Sequence, residues 1–135
     1  MTESELQDWI KQDEGYDRLP VLDTTGHLTI GHGRNLQNGI HPDEGELMFQ
    51  NDYKQAVGEL EAESWYREQP HNVQCALINM NFNLGIEKLS EFTGMISALR
   101  AKDYEKAAQE ALNSLWARQV HNRANQIADM IRGKN

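Results

Sequence analysis

The sequence has a single cysteine among its 135 residues, so an intrachain disulfide framework is excluded. That cysteine, Cys75, lies in the largely apolar run of residues 73–82, and we predict a buried structural thiol there rather than a nucleophile. No stretch reaches the roughly 20 apolar residues of a membrane span. The N-terminus also lacks the basic and then apolar pattern of a signal peptide. The sequence therefore predicts synthesis in the cytoplasm and no stable association with a membrane.

Positive charge is scarce as well. Thirteen Lys and Arg residues stand against 21 Asp and Glu residues, which gives a net charge of -8 at pH 7. Because binding to phosphate backbones needs a basic surface, we expect no nucleic-acid partner. Five histidines are scattered along the chain, and the side chains of His27 and His32 would point to opposite faces of a β segment. We therefore expect neither a metal site nor any other cofactor.

What the sequence does contain is a strong helical pattern, in a length that suits one compact domain. Thr2 followed by Glu5 is a capping-box pattern that opens a helix, and Gly15 is a natural stop. A second helix starts at His41-Pro42. A third starts near Pro70, is apolar nearly all round, and is predicted to be the buried central helix. Shorter helices are predicted at residues 93–101, 103–112 and 122–131, with a turn around Trp116 and a stop for the central helix at Gly85.

The segment after the first helix has a different character. Short apolar runs lie on both sides of the polar turn at residues 23–26, and glycines at positions 31, 33 and 39 disfavour helix. We predict two short β segments there. The expected fold is α+β and mainly α, with a β lobe at about residues 16–36. The helical lobe covers about residues 42–135 together with the N-terminal helix. A cleft between such lobes is the default place for a ligand.

Glu14 is the first candidate for chemistry. It follows Leu6 and Ile10 at helical spacing and so continues their apolar stripe. A carboxyl group on a buried face is partly desolvated, which raises its pKa and suits a general acid. The structural alternative is a glutamate at a helix end that forms a salt bridge.

Asp23 is the second candidate. It opens a polar turn, so it is expected to be more solvated than Glu14 and ionised. Two carboxylates in opposed environments are the arrangement that glycoside hydrolysis uses, one as the acid and one directing water or attacking the sugar. The alternative is an ordinary turn aspartate that caps Thr25 or Gly26.

These residues carry a resemblance to a known family. Residues 13–15 (Asp-Glu-Gly), Asp23 nine positions after Glu14, and residues 29–31 (Thr-Ile-Gly) resemble the catalytic signature of the T-even phage lysozyme family, glycoside hydrolase family 24. Nearly the whole chain matches in register. The further matching segments are residues 76–80 with Phe82 and Gly85, Phe92-Thr93, residues 104–108, Trp116 and residues 122–124.

The resemblance implies a lysozyme-like fold and a role for each matching residue. Glu14 corresponds to the general acid, Asp23 to the carboxylate that directs water, and Thr29 to the hydroxyl beside that water. Arg123 corresponds to an arginine that orients the acid, or alternatively forms a structural salt bridge. Phe82 matches an aromatic residue of the cleft, although a plain core residue would also explain it. Such enzymes invert the anomeric carbon, which requires room for water between the two carboxylates.

The sequence departs from the family pattern after Thr29. The family usually has Gly-His there, whereas this chain has Gly33-Arg34, which puts a histidine–aspartate pair with Asp52 in doubt and leaves Arg34 as a substitute cation. The segment at residues 35–40 is also short, which predicts a trimmed β lobe.

The resulting hypothesis is a monomeric muramidase that acts on the glycan strands of peptidoglycan. A phage endolysin that stays in the host cytoplasm until a holin releases it to the wall fits the missing export signal. A lysozyme domain of a virion or prophage protein is expected to look the same. One alternative is a lytic transglycosylase, but both water-handling residues, Asp23 and Thr29, are present. The other is a non-catalytic wall-binding module, for which the loss of one of them is expected.

Overall fold

The computed structural model describes residues 1–134; Asn135, the end of the predicted domain, lies outside the described residues. The described chain is mainly helical, with one three-stranded antiparallel sheet, which confirms the predicted fold class. The helices are α1 Glu3–Glu14, α2 Pro42–Glu61, α3 Ser64–Arg67, α4 His71–Leu84, α5 Ile86–Ser90, α6 Thr93–Arg100, α7 Tyr104–Leu112, α8 Leu115–Val120 and α9 Asn122–Ile131. The strands are β1 Asp17–Leu22, β2 Leu28–Gly31 and β3 Arg34–Asn35.

The chain divides into two compact units, Met1–Leu47 (unit 1) and Met48–Asn135 (unit 2). Unit 1 holds α1, the sheet and the start of α2. Unit 2 holds the rest of α2 and the remaining helices.

The predicted start and end of α1 are confirmed. Thr2 and Glu5 form the capping box, in which the Glu5 backbone N–H donates to Thr2 Oγ1 at 3.1 Å and the Thr2 N–H donates to Glu5 Oε1 at 3.3 Å. Gly15 ends the helix, and its N–H donates to the Lys11 carbonyl.

The sheet confirms the two predicted β segments and adds the two-residue strand β3. Val21 pairs with Thr29 and Asp17 with Gly31, so β1 carries extra residues between these two pairs. Pro20 lies in that irregular part of β1. Because proline has no N–H for a ladder, it is tolerated at bulges and on edge strands, and β1 is an edge strand.

The apolar core lies in unit 2 and is centred on α4, as predicted. Leu77 and Met80 of α4 are fully buried, and Trp65, Leu99 and Ile131 pack in the same cluster. The prediction for Cys75 is wrong in one respect, because its side chain is half-buried and its Sγ lies 3.4 Å from His71 Nε2.

A buried glutamine connects three parts of unit 2. Gln69 follows α3, and its side-chain amide donates to the carbonyls of Trp65 at 2.8 Å and Leu99 at 3.0 Å. Its Oε1 accepts from the Tyr104 hydroxyl at 2.8 Å. Both protons of the amide and its oxygen are therefore used, which is what a buried amide requires.

The helices that sequence patterns missed are short. The segments α3 and α5 have four and five residues, which is little more than one turn, so they show no readable periodicity. The turn predicted around Trp116 is wrong, because α8 forms there. Ser114 caps α8 by accepting from the Ala117 N–H at 3.1 Å.

Candidate active site

Glu14 is the last residue of α1, and its surroundings correct the sequence-based argument. We expected it on a buried face, but the whole of α1 is exposed, including Trp9 at 53% and Ile10 at 50%. The periodicity of the helix is real, yet within residues 1–47 no side chain is buried. The prediction that the apolar stripe of α1 buries the Glu14 carboxyl group is therefore wrong within unit 1.

The Glu14 carboxylate is placed instead by a close approach to the turn between β2 and β3. A Cβ built at Gly33 would lie 2.5 Å from Glu14 Oε2, so any other residue at position 33 would displace this carboxylate. Gly33 also has a φ of +76°, which disfavours other residues. The adjacent His32 donates from Nδ1 to the Gly15 carbonyl at 2.7 Å and meets the Tyr16 ring edge-on. The end of α1 is thereby fixed against this turn.

Asp23 lies at the start of the turn between β1 and β2. Its Oδ1 accepts from the N–H of Thr25 at 2.8 Å, the hydroxyl of Thr25 at 2.7 Å and the N–H of His27 at 2.9 Å. These bonds favour the ionised carboxylate, and the pKa of Asp23 is lowered mainly by the His27 N–H and then by the Thr25 hydroxyl. Asp23 thus caps its turn and is also suited to a role that needs a negative charge.

Thr29 and Asp23 belong to the same face of the hairpin. Thr29 is the register partner of Val21, and Asp23 continues the ladder two residues later by donating its N–H to the His27 carbonyl at 2.8 Å. Since side chains alternate along a strand, residues two apart share a face. The Thr29 hydroxyl makes a long bond of 3.4 Å to the Val21 carbonyl, so it retains capacity for a water or a substrate.

Arg34 has a different partner from the one considered from sequence. It forms a bidentate pair with Glu44, at 2.8 and 2.9 Å, rather than a pair with Asp52. The Arg34 guanidinium, followed by the His41 N–H, lowers the pKa of Glu44 to about 2. This pair joins β3 to the first turn of α2 within unit 1.

Phe82 belongs to unit 2, where it is 38% exposed and therefore is not a core residue. Its ring centroid lies 5.5 Å from that of Phe49, which in turn stacks on Tyr53 at 6.2 Å. The buried residues of α2, Ala56 and Leu60, lie in its second half, whereas Phe49 and Tyr53 are exposed. These aromatic rings line a cavity of about 380 Å³.

Arg123 lines the same cavity of unit 2. Its Nε donates to Asn79 Oδ1 at 2.8 Å and its Nη2 to the Asn79 carbonyl at 3.3 Å. Among residues 1–134 it forms no ion pair with a carboxylate, and neither its role in orienting the acid nor the salt-bridge alternative is confirmed.

Metal-ligand clusters and membrane-spanning helices are both absent from the described residues. In residues 1–134, no group of three or more His, Cys, Asp or Glu side chains is arranged to hold a metal ion. No helix of the same residues combines the length and apolar character needed to cross a bilayer.

Sequence reasoning proposed Glu14, Asp23 and Thr29 as candidates, and its prediction that Asp23 caps Thr25 is confirmed. It missed Gly33, His32 and His27, whose contacts depend on how the turns fold. The sequence signal was present at positions 31–33, where two glycines enclose a histidine directly after a predicted strand.

Comparison with known proteins matches most of this sequence to one family. The family model described as phage lysozyme matches residues 11–131. Two relatives come from Dictyostelium discoideum. The chain is 27% identical to "Probable T4-type lysozyme 2", across 95% of this chain and 94% of that protein. It is 26% identical to "Probable T4-type lysozyme 1", across 96% and 88%.

A third relative is much longer than this chain. "Pre-baseplate central spike protein Gp5" of Enterobacteria phage T4 is 24% identical across 93% of this chain, which corresponds to 27% of the spike protein. The matched region therefore also occurs as one part of a larger protein.

Proposed function

Because this chain belongs to the phage lysozyme family and is a lysozyme-type glycoside hydrolase, we propose that it is a muramidase. It hydrolyses the β-1,4 bond from N-acetylmuramic acid to N-acetylglucosamine in peptidoglycan, with inversion at the anomeric carbon. The observation that carries this proposal is that unit 1 contains all three proposed catalytic side chains, each on a turn or strand that positions its backbone. They are Glu14 against Gly33, Asp23 in its turn and Thr29 on β2.

Asp23 directs the attacking water. Inverting hydrolysis needs an ionised carboxylate on the side of the sugar opposite the leaving group. The lowered pKa of Asp23, caused by the His27 N–H and the Thr25 hydroxyl, supports this role. The Thr29 hydroxyl, on the same hairpin face, provides a second contact for the water.

Glu14 donates the proton to the leaving oxygen. In the unliganded protein its carboxylate is exposed, so a bound glycan strand has direct access to it. The same strand would then exclude water from the carboxylate, which supplies on binding the environment that a general acid needs.

Phe82 and Arg123 are assigned on the family resemblance. Phe82 offers an exposed aromatic face for a sugar ring, and its exposure supports this role over that of a core residue. Arg123 is proposed to orient Glu14. Its guanidinium is engaged by Asn79 and by no carboxylate of the described chain, which leaves its charge available.

The cellular role proposed is that of a bacteriolytic endolysin, kept in the host cytoplasm and released through a holin. The relatives come from Dictyostelium discoideum and include a phage spike protein, so the family occurs in more than one setting. Lysis on expression with and without a holin tests this part of the proposal separately from the chemistry.

The chemistry is tested by Glu14→Gln, because the amide is nearly isosteric but has no acidic proton. We expect turbidity loss of purified peptidoglycan to be abolished, with an unchanged circular dichroism spectrum. The matched control is Asp8→Asn, which removes a charge from another exposed side chain of α1 and is expected to leave the enzyme active. Activity in Glu14→Gln above a few per cent of wild type would contradict the assignment.

Product analysis separates hydrolysis from the transglycosylase reaction. Hydrolysis yields a free reducing end on the muramic residue, whereas attack by the muramic 6-hydroxyl yields an anhydro end. We expect reducing ends, released initially as the inverted anomer in an early-time NMR spectrum. Anhydro products would overturn the muramidase assignment.

A further inference from the structure

The two oxygens of the Asp23 carboxylate have unlike surroundings. Oδ1 accepts all three hydrogen bonds, from the Thr25 N–H, the Thr25 hydroxyl and the His27 N–H, at 2.7–2.9 Å. Oδ2 has no hydrogen-bond partner among residues 1–134, and it lies 3.9 Å from His27 Nδ1. The carboxylate is therefore held by one oxygen, and the other is available.

The proton positions around Thr25 follow from simple counting. An ionised carboxylate only accepts, so the 2.7 Å contact with Asp23 uses the single hydroxyl proton of Thr25. The Thr25 oxygen also lies 2.7 Å from His27 Nδ1, and with its proton committed it accepts there. His27 must therefore carry a proton on Nδ1, and hydrogen bonds run in one direction from His27 through Thr25 to Asp23.

We propose that Thr25 and His27 are positioning residues that fix the Asp23 carboxylate so that Oδ2 is the oxygen that takes the attacking water. This inference rests on the proposed function of Asp23. A carboxylate that rotates freely offers its two oxygens in many orientations, whereas this one has a single orientation before substrate binds. Such preorganisation contributes to rate because the reacting groups need no rearrangement.

His27 adds an electrostatic effect on the acid side. Its Nδ1 lies 3.9 Å from Asp23 Oδ2, and the electrostatic effect of the ring is the smallest of the causes that lower the pKa of Asp23. Asp23 is the one carboxylate of the described chain within 4 Å of a ring nitrogen of His27, and the ring also contacts Thr25. Removal of the imidazole ring is therefore expected to raise the pKa of Asp23.

The alternative is that this network only stabilises the turn. The two roles differ in what they change. A turn-stabilising contact alters the unfolding temperature, whereas a positioning contact lowers kcat and moves the acid limb of the pH–rate profile. Conservative variants separate these effects because they restore single atoms of the network.

The experiment measures kcat and KM on soluble peptidoglycan fragments across pH, together with thermal unfolding. Thr25→Val removes the hydroxyl and keeps the shape, and we expect kcat to fall about tenfold with little change in KM. Since the Thr25 hydroxyl lowers the pKa of Asp23, its loss moves the acid limb to higher pH. Thr25→Ser restores the hydroxyl and is expected to restore both values.

His27 is tested with a second pair. His27→Leu removes both the donor and the charge and is expected to lower kcat and to move the acid limb to higher pH. His27→Asn offers a side-chain N–H near the place of Nδ1 without the imidazolium. It should therefore recover kcat near neutral pH but leave the acid limb displaced.

Wild-type kcat and an unmoved acid limb in Thr25→Val and His27→Leu would overturn the proposal. So would a loss that tracks only the unfolding temperature and is not recovered by Thr25→Ser. Asp23→Ala, measured in parallel, shows which proposal has failed. If Asp23→Ala is inactive while Thr25→Val has normal activity, only the positioning role of Thr25 is contradicted. If Asp23→Ala is active, the proposed role of Asp23 in directing water is contradicted as well.

Discussion

Unit 1 and unit 2 are stabilised by different kinds of interaction. Every buried side chain of the described residues lies in unit 2, beginning with Ala56, and residues 1–47 contain none. Unit 1 is organised by the α1 capping box, the Asp23 turn and the Arg34–Glu44 ion pair. The three candidate catalytic residues all lie in this polar unit. The apolar core and the residues assigned to the reaction therefore belong to different units.

The two units differ as strongly in charge. Unit 1 contains ten acidic and three basic residues, a net charge of -7, whereas unit 2 contains eleven acidic and ten basic residues, a net charge of -1. The protein's overall charge of -8 is thus concentrated on the unit that carries the candidate site. A substrate with anionic groups meets repulsion there, which short-range contacts must overcome.

The strongest test of this comparison shortens one leucine to alanine in each unit and compares the loss of stability. Leu77 is fully buried in unit 2, whereas Leu22 is 69% exposed in unit 1. Leu77→Ala is expected to lower the free energy of unfolding by about 2–5 kcal/mol, because it removes buried methyl groups and leaves a cavity. Leu22→Ala is expected to change it by less than about 0.5 kcal/mol. Denaturant unfolding followed by circular dichroism measures both, and similar losses would contradict the division.

A second test asks whether the close approach of Gly33 sets the position of the Glu14 carboxylate. Gly33→Ala puts a Cβ 2.5 Å from Glu14 Oε2, whereas Gly31, with a similar φ of +67°, has no atom within 4 Å of that position. Both variants lose stability from backbone strain, roughly 1–3 kcal/mol. Only Gly33→Ala displaces the carboxylate, and we expect it to lose about 100-fold in wall-lysis rate. An equal loss in Gly31→Ala would show that strain, and not the contact with Glu14, sets the activity.

The smallest expected effect is the pH dependence of the Arg34–Glu44 pair. The Arg34 guanidinium lowers the pKa of Glu44 from 4.5 to about 2, so the pair stabilises the fold above the unfolded-state value. That contribution is lost as the pH falls from about 4.5 through about 2. Glu44→Gln is therefore expected to be less stable than wild type near neutral pH and to converge with it in acid. The effect is modest because both side chains are 37% exposed.

Denaturant unfolding across this pH range measures the convergence. Arg34→Gln serves as the matched variant, since it removes the other partner and is expected to show the same convergence. A constant difference between Glu44→Gln and wild type at every pH would mean that the ion pair is not its source.

The sequence allowed most of unit 2 to be predicted and the site of unit 1 only in part. Some helix boundaries were readable because capping and backbone geometry act locally, at Thr2 and Pro42 where α1 and α2 begin and at Gly85 where α4 ends. The burial of Glu14 was predicted wrongly, since periodicity identifies an apolar face but not what covers it. The positions of Oδ1 and Oδ2 of Asp23 depend on turn geometry, to which no periodic pattern corresponds.

Gln69 shows how a residue remote from the reaction still limits how far the sequence can vary. Its position requires two donors and one acceptor in one side chain, for the Trp65 and Leu99 carbonyls and the Tyr104 hydroxyl. Glutamate has the same shape but offers no donor when ionised, and methionine fills the space but leaves both carbonyls unpaired. Asparagine has the chemistry but is one methylene too short. Few substitutions are therefore expected to be tolerated at position 69, although Gln69 has no assigned catalytic role.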